Sequence, residues 1–498
     1  ALPDWFAASS EKVGFRCIGH GLENPIQSIW SPHHKRHVTR VLKAIGAHYE
    51  PMNVLEGVRL GPSGNYGESQ YPAGGNWGLR GDAMHIHIGW WAGDSYALAD
   101  WRRWLEERYG NIAALNAAWD SAAYTDFEAV NIILPQVIRS RRQRLDFTQW
   151  YTDSMSDWCA WWAQEARAVL PNTPMYQSAG GWGFREAGTD YAAQAKAMAP
   201  LNGGIRLTNE TDNFEQNTCA TRMAITAARQ YGIPIGTEPA SSHTARGVAG
   251  RLFELLSVNG THFFTYHGNI FNHPMAIESW LSTLPLMDRR GTPLVEVALY
   301  YPETMNQYED AAFRHIYAWG FNPRAMELRR VVDVDYVDEH LIREGFLDKY
   351  KALVFVWGNV IEADVLAAMD AWMRRGGMIL YPSFPRGALE TVEGDTSVFA
   401  QWSRGDTGNG GFNRFKGDMD PPSLYADFVR KALSGLSTLA PVTRALIDAE
   451  RSEQVFMTAF EDGSIGILNY EEREARVQIP GRPPINLVPF HIQLEHNL

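Results

Sequence analysis

The sequence predicts an α/β fold: a (β/α)8 TIM barrel, then an open α/β domain, then a small C-terminal β-sandwich-like domain. Over residues 1–290, short apolar segments alternate with segments of helical periodicity, the pattern of βα units and a parallel sheet. Polar and acidic residues recur just after the predicted strands, where a barrel keeps its active site. The pattern changes beyond residue 290 and again near 440, which predicts domains at 1–290, 291–440 and 441–498.

The elements of the first domain follow from local patterns. Strands are predicted at 54–60, 174–178, 204–208, 233–238 and 261–267, with a possible short strand at 13–18. Helices are predicted at 37–49, 97–118, 145–170, 218–231, 245–259 and 276–288. Several of these strands end in glycine or carboxylate, so we expect functional side chains at one edge of the sheet.

The later domains have different patterns. Near-continuous apolar runs at 353–357 and 378–382 predict buried parallel strands, and 309–319 predicts a helix. The glycine- and aspartate-rich stretch 403–422 has no periodicity, so we expect a long loop. From about residue 442, short alternating segments broken by turn residues predict a small antiparallel β domain.

Composition excludes several classes of function. The 498 residues carry a net charge of −12 without a basic patch, which argues against a nucleic-acid partner. No apolar run approaches the length of a membrane span, and no secretory signal opens the chain, so we expect a cytoplasmic protein that is not membrane-bound. The three cysteines show no CxxC spacing, which argues against disulfides and a structural zinc site. We expect no cofactor.

Aromatic residues are abundant, with 18 Trp, 20 Tyr and 22 Phe, and many lie between Trp77 and Trp182. Aromatic faces stack on the C–H faces of sugars, which fits a carbohydrate site. Helical spacing, as in Trp158, Trp161 and Trp162, is nevertheless typical of core packing. We therefore assign roughly two in three of these tryptophans to the core.

Two glutamates lie at or just beyond the ends of predicted strands. Glu68 lies in the glycine-rich stretch LGPSGNYGESQYP (60–72), and Glu238 ends the apolar segment IPIGTE. Glycosidic cleavage needs two carboxyl groups: one protonates the leaving oxygen, and the other attacks the anomeric carbon or activates water. The pair predicts a glycosidase.

Longer segments resemble glycoside hydrolase family 42, the β-galactosidase family of clan A. The resemblance rests on ALADWRRWLEERYGNIAALNAAWDSAAYTDFEAVN (97–131) and LDFTQWYTDSMSDWCAWW (145–162). It implies Glu68 as acid/base, Glu238 as nucleophile and a retaining, exo-acting cleavage of a β-linked sugar in an oligosaccharide or glycoside. The region 295–383 resembles the trimerisation domain of the family, which implies a homotrimer.

The sequence also departs from the family pattern. Gly67, not asparagine, precedes Glu68, and the segment TYHGNIFNHP lacks the tryptophan and glutamate that grip galactose in the family. GPSGNYGESQYP is also similar to the GPxGExRYP motif of the inverting β-amylases. Two alternatives therefore stay open: an inverting glycosidase that uses Glu68 as acid with a different base, and an inactive sugar-binding protein on a glycosidase scaffold.

The geometry of the pair would distinguish these mechanisms. Retention predicts carboxyl groups of Glu68 and Glu238 roughly 5–5.5 Å apart, whereas about 6.5–9.5 Å favours inversion. By the resemblance, the predicted strands are strands four to eight of a barrel. Since a closed barrel needs all eight, we expect an additional N-terminal segment of roughly 70 residues or more, covalently continuous or as a separate chain.

Further side chains near the strand ends are expected to bind substrate: Asn65, Tyr66, His85, His87, Trp182, Asn209, Glu210, Tyr266, His267 and Asn269. Asp212 and Asn213 are also expected to bind substrate, as Asn209 and Glu210 are. His243 and Arg246 are weaker candidates, and their alternative role is to cap the next helix.

The spacing of His85 and His87 would suit a metal. With no third ligand expected nearby, and the zinc-cluster cysteines of the family absent between Glu68 and Tyr96, we predict sugar contacts or packing and no metal.

Overall fold

The computed structural model describes residues 3–64, 67–72, 85–180, 183–208, 212–238, 243–263, 267–288, 291–308, 321–382 and 388–496. These residues form two compact units, Ala1–Arg206 and Leu207–Leu498. The domain boundaries predicted near residues 290 and 440 stay predictions. Within the described residues, no helix is long and apolar enough to cross a membrane.

The first unit alternates helices and short strands. Its strands are β1 (Gly14–Arg16), β2 (Glu23–Gln27), β3 (Val58–Leu60), β4 (Met175–Ala179) and β5 (Gly203–Thr208), the last of which crosses the division between the units. Its helices are α1 (Asp4–Ala7), α2 (Pro32–Tyr49), α3 (Ser95–Tyr109), α4 (Ile112–Ala118), α5 (Arg141–Val169) and α6 (Tyr191–Met198). Strands β1 and β2 pair antiparallel, while β3 and β4 pair parallel with Val58 opposite Met175.

Local sequence explains the ends of these helices. Asp94 caps α3 by accepting from the backbone N–H groups of Tyr96 and Ala97, and Gly110 ends it at a φ of 71°. Ser140 caps the 29-residue α5 in the same way. The aromatic residues of this unit are largely core, as expected, because Trp91 and Trp150 are fully buried.

The second unit contains the remaining elements. Its helices are α7 (Phe214–Gln230), α8 (Ala245–Ser257), α9 (His267–Ile270), α10 (Pro274–Met287), α11 (Glu303–Tyr308), α12 (Phe321–Val331), α13 (Glu339–Arg343), α14 (Ala363–Arg374), α15 (Ser397–Ser403), α16 (Pro422–Ser434) and α17 (Pro441–Ile447). Its strands are β6 (Ile235–Glu238), β7 (His262–Phe263), β8 (Val297–Tyr300), β9 (Asp335–Val337), β10 (Ala352–Val354), β11 (Val360–Ile361), β12 (Met378–Pro382), β13 (Glu390–Thr391), β14 (Gly411–Phe415), β15 (Val455–Ala459), β16 (Ile465–Asn469), β17 (Ala475–Val477), β18 (Ile485–Leu487) and β19 (His491–Glu495).

A five-stranded parallel sheet forms the predicted open α/β region, in the order β14-β12-β10-β8-β9. The order reverses next to β8, as in doubly wound folds. The loop predicted at 403–422 is wrong in part, because it contains β14, which pairs in register with β12. As an edge strand that is only partly buried, β14 lacks the apolar pattern of the central strands. The helix predicted at 309–319 lies outside the described residues.

The C-terminal strands are antiparallel, as predicted. Strands β15, β16 and β19 form one sheet, and β17 pairs with β18. Strands β15, β16 and β19 share an apolar core with α7, α8 and α10. Its buried members include Phe214, Leu252, Phe253, Phe456, Leu468 and Ile492. The last strands of the chain thus complete the core around the first helices of this unit.

A buried ionic network crosses the second unit. Arg222 on α7 contacts Glu254 on α8 at 3.4 Å and also pairs with Asp333, while Asp335 on β9 pairs with Arg229. Removing one member of such a network would leave a buried charge without compensation, at a cost of about 3–5 kcal/mol. The network therefore fixes α7 and α8 against the start of β9.

Candidate active site and metal centre

Glu68 lies in a tight turn that begins after β3. Gly64 and Gly67 adopt φ angles of 67° and 72°, a conformation that residues with a Cβ rarely adopt. The glycines in LGPSGNYGESQYP thus allow the chain to reverse directly beyond the strand. We call residues 67–72 the Glu68 turn.

Hydrogen bonds fasten the Glu68 turn on both sides of the glutamate. The N–H of Ser69 donates to the carbonyl of Ser178 on β4 at 2.9 Å, and its hydroxyl donates to Gln194 at 2.7 Å. The N–H of Tyr71 donates to the carbonyl of Ala187 at 2.9 Å. The turn is therefore fixed to β4 and to α6, and the position of Glu68 with it.

The carboxyl group of Glu68 is itself held closely. The side chain is 5% exposed, and its Oε2 accepts a hydrogen bond from Gln70 Nε2 at 2.7 Å. Gly180, directly after β4, lies against the same oxygen: a Cβ at this position would be 2.3 Å from Oε2. Only glycine fits there, so the sequence of β4 and its end shape the pocket of the glutamate.

Glu238 is the last residue of β6 in the second unit, as the sequence predicts. It is 6% exposed, and β6 pairs parallel with β7, with Thr237 opposite Phe263. A buried carboxyl group at the carboxyl end of a parallel strand is the usual position of a catalytic group in a barrel.

A cluster of one cysteine and three histidines lies elsewhere in the first unit. Cys17 follows β1, His20 lies in the β1–β2 turn, and His85 and His87 come from a later segment. Their sulfur and ring nitrogen atoms all lie within 4.8 Å of one another. Cys17 Sγ is 3.3 Å from His87 Nε2, and His85 Nε2 is 3.0 Å from His20 Nδ1.

The chemistry of this cluster fits a zinc ion. One thiolate and three neutral imidazoles form a donor set of the mixed cysteine and histidine type that tetrahedral zinc prefers. His87 Nδ1 faces the carbonyl of Ile88 at 2.9 Å, a contact that directs its Nε2 to the cluster. Burial, together with His87 and His20, lowers the pKa of His85 and favours the neutral form that binds metal.

The expectation that no third metal ligand lies near His85 and His87 is therefore wrong. The additional ligands come from the C-x-x-H pair of Cys17 and His20, which lies far in sequence from the segment between Glu68 and Tyr96. This pair and the H-x-H pair are distant in sequence, so only the fold brings them together. Contact of His85 and His87 with a sugar stays a prediction.

Several weaker candidates have structural roles. Asn213 caps α7 by accepting from the N–H of Gln216, and Asp212 accepts from the Thr244 hydroxyl at 2.9 Å, next to the start of α8. The guanidinium of Arg246 lies over the ring of Tyr470, 4.3 Å from its centroid. These contacts explain the polar residues without a substrate.

Other predicted substrate-binding residues cannot be placed. Asn65, Tyr66, Trp182, Asn209, Glu210 and Tyr266 lie outside the described residues. His267 and Asn269 lie on α9, where the structure describes the backbone and not these two side chains. Their assignment stays a prediction.

Comparison with known proteins agrees with the resemblance seen in the sequence. Residues 93–234 match the sequence model of glycoside hydrolase family 42, described as Beta-galactosidase. No curated protein sequence matches the chain.

Similar solved structures cover nearly the whole chain. The cold-adapted β-galactosidase of Rahnella sp. R3 is 14% identical, with a TM-score of 0.72 over 99% of this chain and 86% of that one. The β-galactosidase of Bacillus circulans sp. alkalophilus is 13% identical, with a TM-score of 0.69 over 99% and 87%. A family 42 exo-carrageenase of Bacteroides ovatus is 13% identical, with a TM-score of 0.67 over 99% and 73%. The fold is therefore the predicted TIM-barrel α/β fold.

Proposed function

We propose that this chain is a β-galactosidase-like glycoside hydrolase of family 42 and a retaining exo-glycosidase, with Glu68 as acid/base and Glu238 as nucleophile. The observation that supports the proposal best is the Glu68 turn, which buries one carboxyl group against glycine backbone beyond a strand. Glu238, in the other unit, is a buried carboxyl group at the end of β6.

The proposed reaction has two steps. In the first, the Glu238 carboxylate attacks the anomeric carbon, the glycosidic bond breaks, and the proton of Glu68 passes to the leaving oxygen. In the second, the Glu68 carboxylate takes a proton from water as the water oxygen bonds to the anomeric carbon, and the bond between that carbon and Glu238 breaks. Glu68 is then protonated again and Glu238 is free.

The substrate is proposed to be a β-linked sugar, with β-galactosides as the first choice. Similar structures are named as β-galactosidases and as an exo-carrageenase, so aryl β-galactosides and carrageenan oligosaccharides are the substrates to test first. A zinc ion held by Cys17, His20, His85 and His87 would cross-link two segments of the first unit, and the proposed reaction has no step at that centre.

The decisive experiment is a screen of aryl glycosides with NMR detection of the first-formed anomer. Retained configuration supports the proposal. Inverted configuration would support the alternative in which Glu68 is the acid and a different residue is the base. Sugar binding by calorimetry without turnover of any glycoside would support an inactive sugar-binding protein.

The role of Glu238 has its own test. Glu238→Ala should abolish turnover, because no ester can form. Added azide should give a glycosyl azide of inverted configuration from an activated substrate. An azide product of retained configuration would contradict the assignment, since it would show that the nucleophile is still present.

A further inference from the structure

Gln70, two residues after Glu68, contacts the proposed acid/base with its side chain. It is 5% exposed, and its Nε2 donates to Glu68 Oε2 at 2.7 Å. An ionised carboxylate only accepts hydrogen bonds, so the amide nitrogen and not the amide oxygen of Gln70 must face it. The Gln70 amide therefore donates a hydrogen bond to Glu68 when the carboxyl group is charged.

The surrounding backbone keeps Gln70 in this position. Its N–H donates to the carbonyl of Glu68 at 2.8 Å, and the residues on either side are fastened by the bonds of Ser69 and Tyr71. Gly64 lies close to its side chain, since a Cβ there would be 2.9 Å from Gln70 Cγ. Gly64 lies against the side chain of Gln70 and Gly180 against that of Glu68, so little space is left for the amide and the carboxyl group to move apart.

We propose that Gln70 is a positioning residue that decides which oxygen of Glu68 carries the catalytic proton. Oε2 accepts the amide N–H and lies against Gly180, so a proton on this oxygen would meet the amide hydrogen. The proton of the acid form is therefore carried on Oε1, from which it passes to the leaving oxygen. This inference rests on the proposed role of Glu68 as acid/base.

The choice of glutamine is consistent with this role. In the β-amylase motif GPxGExRYP, the position two residues after the glutamate is an arginine, whereas this chain has Gln70. A neutral amide directs the proton by hydrogen-bond geometry and adds no positive charge beside the carboxyl group. An acid/base must change protonation state in every cycle, and a permanent cation would favour only the charged state.

The test uses Gln70→Met, which keeps the length of the side chain and removes the donor. Turnover of the purified full chain is measured on aryl β-glycosides with leaving groups from good to poor. On poor leaving groups, kcat should fall about 10–100-fold, because the proton is no longer directed to the leaving oxygen. On dinitrophenyl glycosides, which need little protonation, the loss should stay below about threefold.

Gln194→Met is the matched control. Gln194 is a similarly buried glutamine on α6 that contacts the same turn, but it accepts a hydrogen bond from the Ser69 hydroxyl and so supports the backbone of the turn. Its loss should be similar on good and poor leaving groups. Gln70→Asn, whose amide is too short to reach Glu68, should repeat the leaving-group dependence of Gln70→Met if the latter folds poorly.

The outcomes separate the inference from the proposed function. Equal losses on good and poor leaving groups in both Gln70 variants would overturn the positioning role, while wild-type turnover with retention would leave the proposed function intact. A wild-type chain that hydrolyses no glycoside would overturn both. A loss of kcat that grows steeply towards poor leaving groups in Gln70→Met, with a loss that does not vary with the leaving group in Gln194→Met, would establish the inference.

Discussion

At the scale of single residues, the position of the candidate acid/base Glu68 depends on the glycines around it as well as on the glutamate itself. Gly64 and Gly67 have the positive φ angles found between β3 and Glu68, and Gly180 leaves the space that the carboxyl group of Glu68 occupies. A side chain at Gly180 would collide with the carboxyl oxygen. Even an alanine there should disturb the site, although it lies far from Glu68 in sequence.

Replacement of Glu68 gives the first residue-scale prediction. Glu68→Ala should lose most activity on glycosides with poor leaving groups and little on activated aryl glycosides, because only the former need a proton donor. The expected loss on poor leaving groups is about 10²–10⁴-fold. Steady-state kinetics on both substrate types measures it. Equal losses would contradict the acid assignment.

Glu339, at the start of α13, gives a prediction about stability and pH. Burial, and then the neighbouring Glu303, raise its pKa from 4.5 to about 7. The folded state therefore holds a proton that the unfolded state releases between these values. Stability from this group is fully present below about pH 4.5 and is lost as the pH rises through about 7.

Glu339→Gln should remove this loss, since the amide stays neutral and its oxygen can still accept from Tyr300 and Thr304. The variant should be more stable than wild type by about 1–3 kcal/mol at pH 8 and similar at pH 5, as measured by urea unfolding. Glu472→Gln, at an exposed residue, is the control and should leave the free energy of unfolding unchanged at both pH 8 and pH 5. A variant less stable than wild type at pH 8 would contradict the assignment.

The sequence indicated some of the candidate site residues and not others, for physical reasons. Glu68 and Glu238 are recognisable because a carboxyl group in a glycine-rich turn after a strand, or at the end of an apolar strand, is a local pattern. Gln70 gives no such signal, since its role depends on the fold of the turn. Cys17 and His20 are separated from His85 by more than sixty residues, and only the tertiary structure brings them together.

At the scale of elements, strands with two buried faces and long helices were predictable from the sequence. Edge strands and the first residues of helices were less predictable. Strand β12 has the predicted bounds, because its apolar run is continuous. Helix α5 begins four residues earlier than predicted, at Arg141, since its first turn is polar and is set by the Ser140 cap. Strand β14 was missed because glycine and charged residues flank a half-buried edge.

The link between the β1–β2 turn and residues 85–87 gives the element-scale prediction. The full chain, expressed with zinc in the medium, should contain about one zinc ion per molecule by elemental analysis. Cys17→Ala and His87→Ala should lose the ion and lower the melting temperature, because two distant segments are no longer cross-linked.

Cys159→Ala is the control for these variants. Cys159 is a buried cysteine on α5 that does not belong to the cluster, and its replacement should leave the zinc content unchanged. Wild-type protein without zinc, after growth with zinc and purification without chelator, would contradict the metal centre.

At the scale of the whole molecule, we propose a homotrimer, since the region 295–383 resembles a trimerisation domain. In a ring of cyclic symmetry, each copy offers the same surface to its neighbour, and neighbours can wall in one another's active sites. Light scattering at micromolar concentration should give the mass of three 56.0 kDa chains. A mass of one chain at this concentration would contradict the proposal.

The core of the second unit combines its first helices with its last strands, so it cannot form until those strands have been synthesised. Phe214 and Phe253 lie early in this unit, yet they pack with Phe456 and Ile492, and Arg222 pairs with Asp333. While the ribosome is still adding the last strands, the early helices expose apolar surface and an uncompensated charge. Nascent chains that stall before residue 491 should therefore depend on chaperones, and the unit should reach its native state only after β19 has emerged from the ribosome.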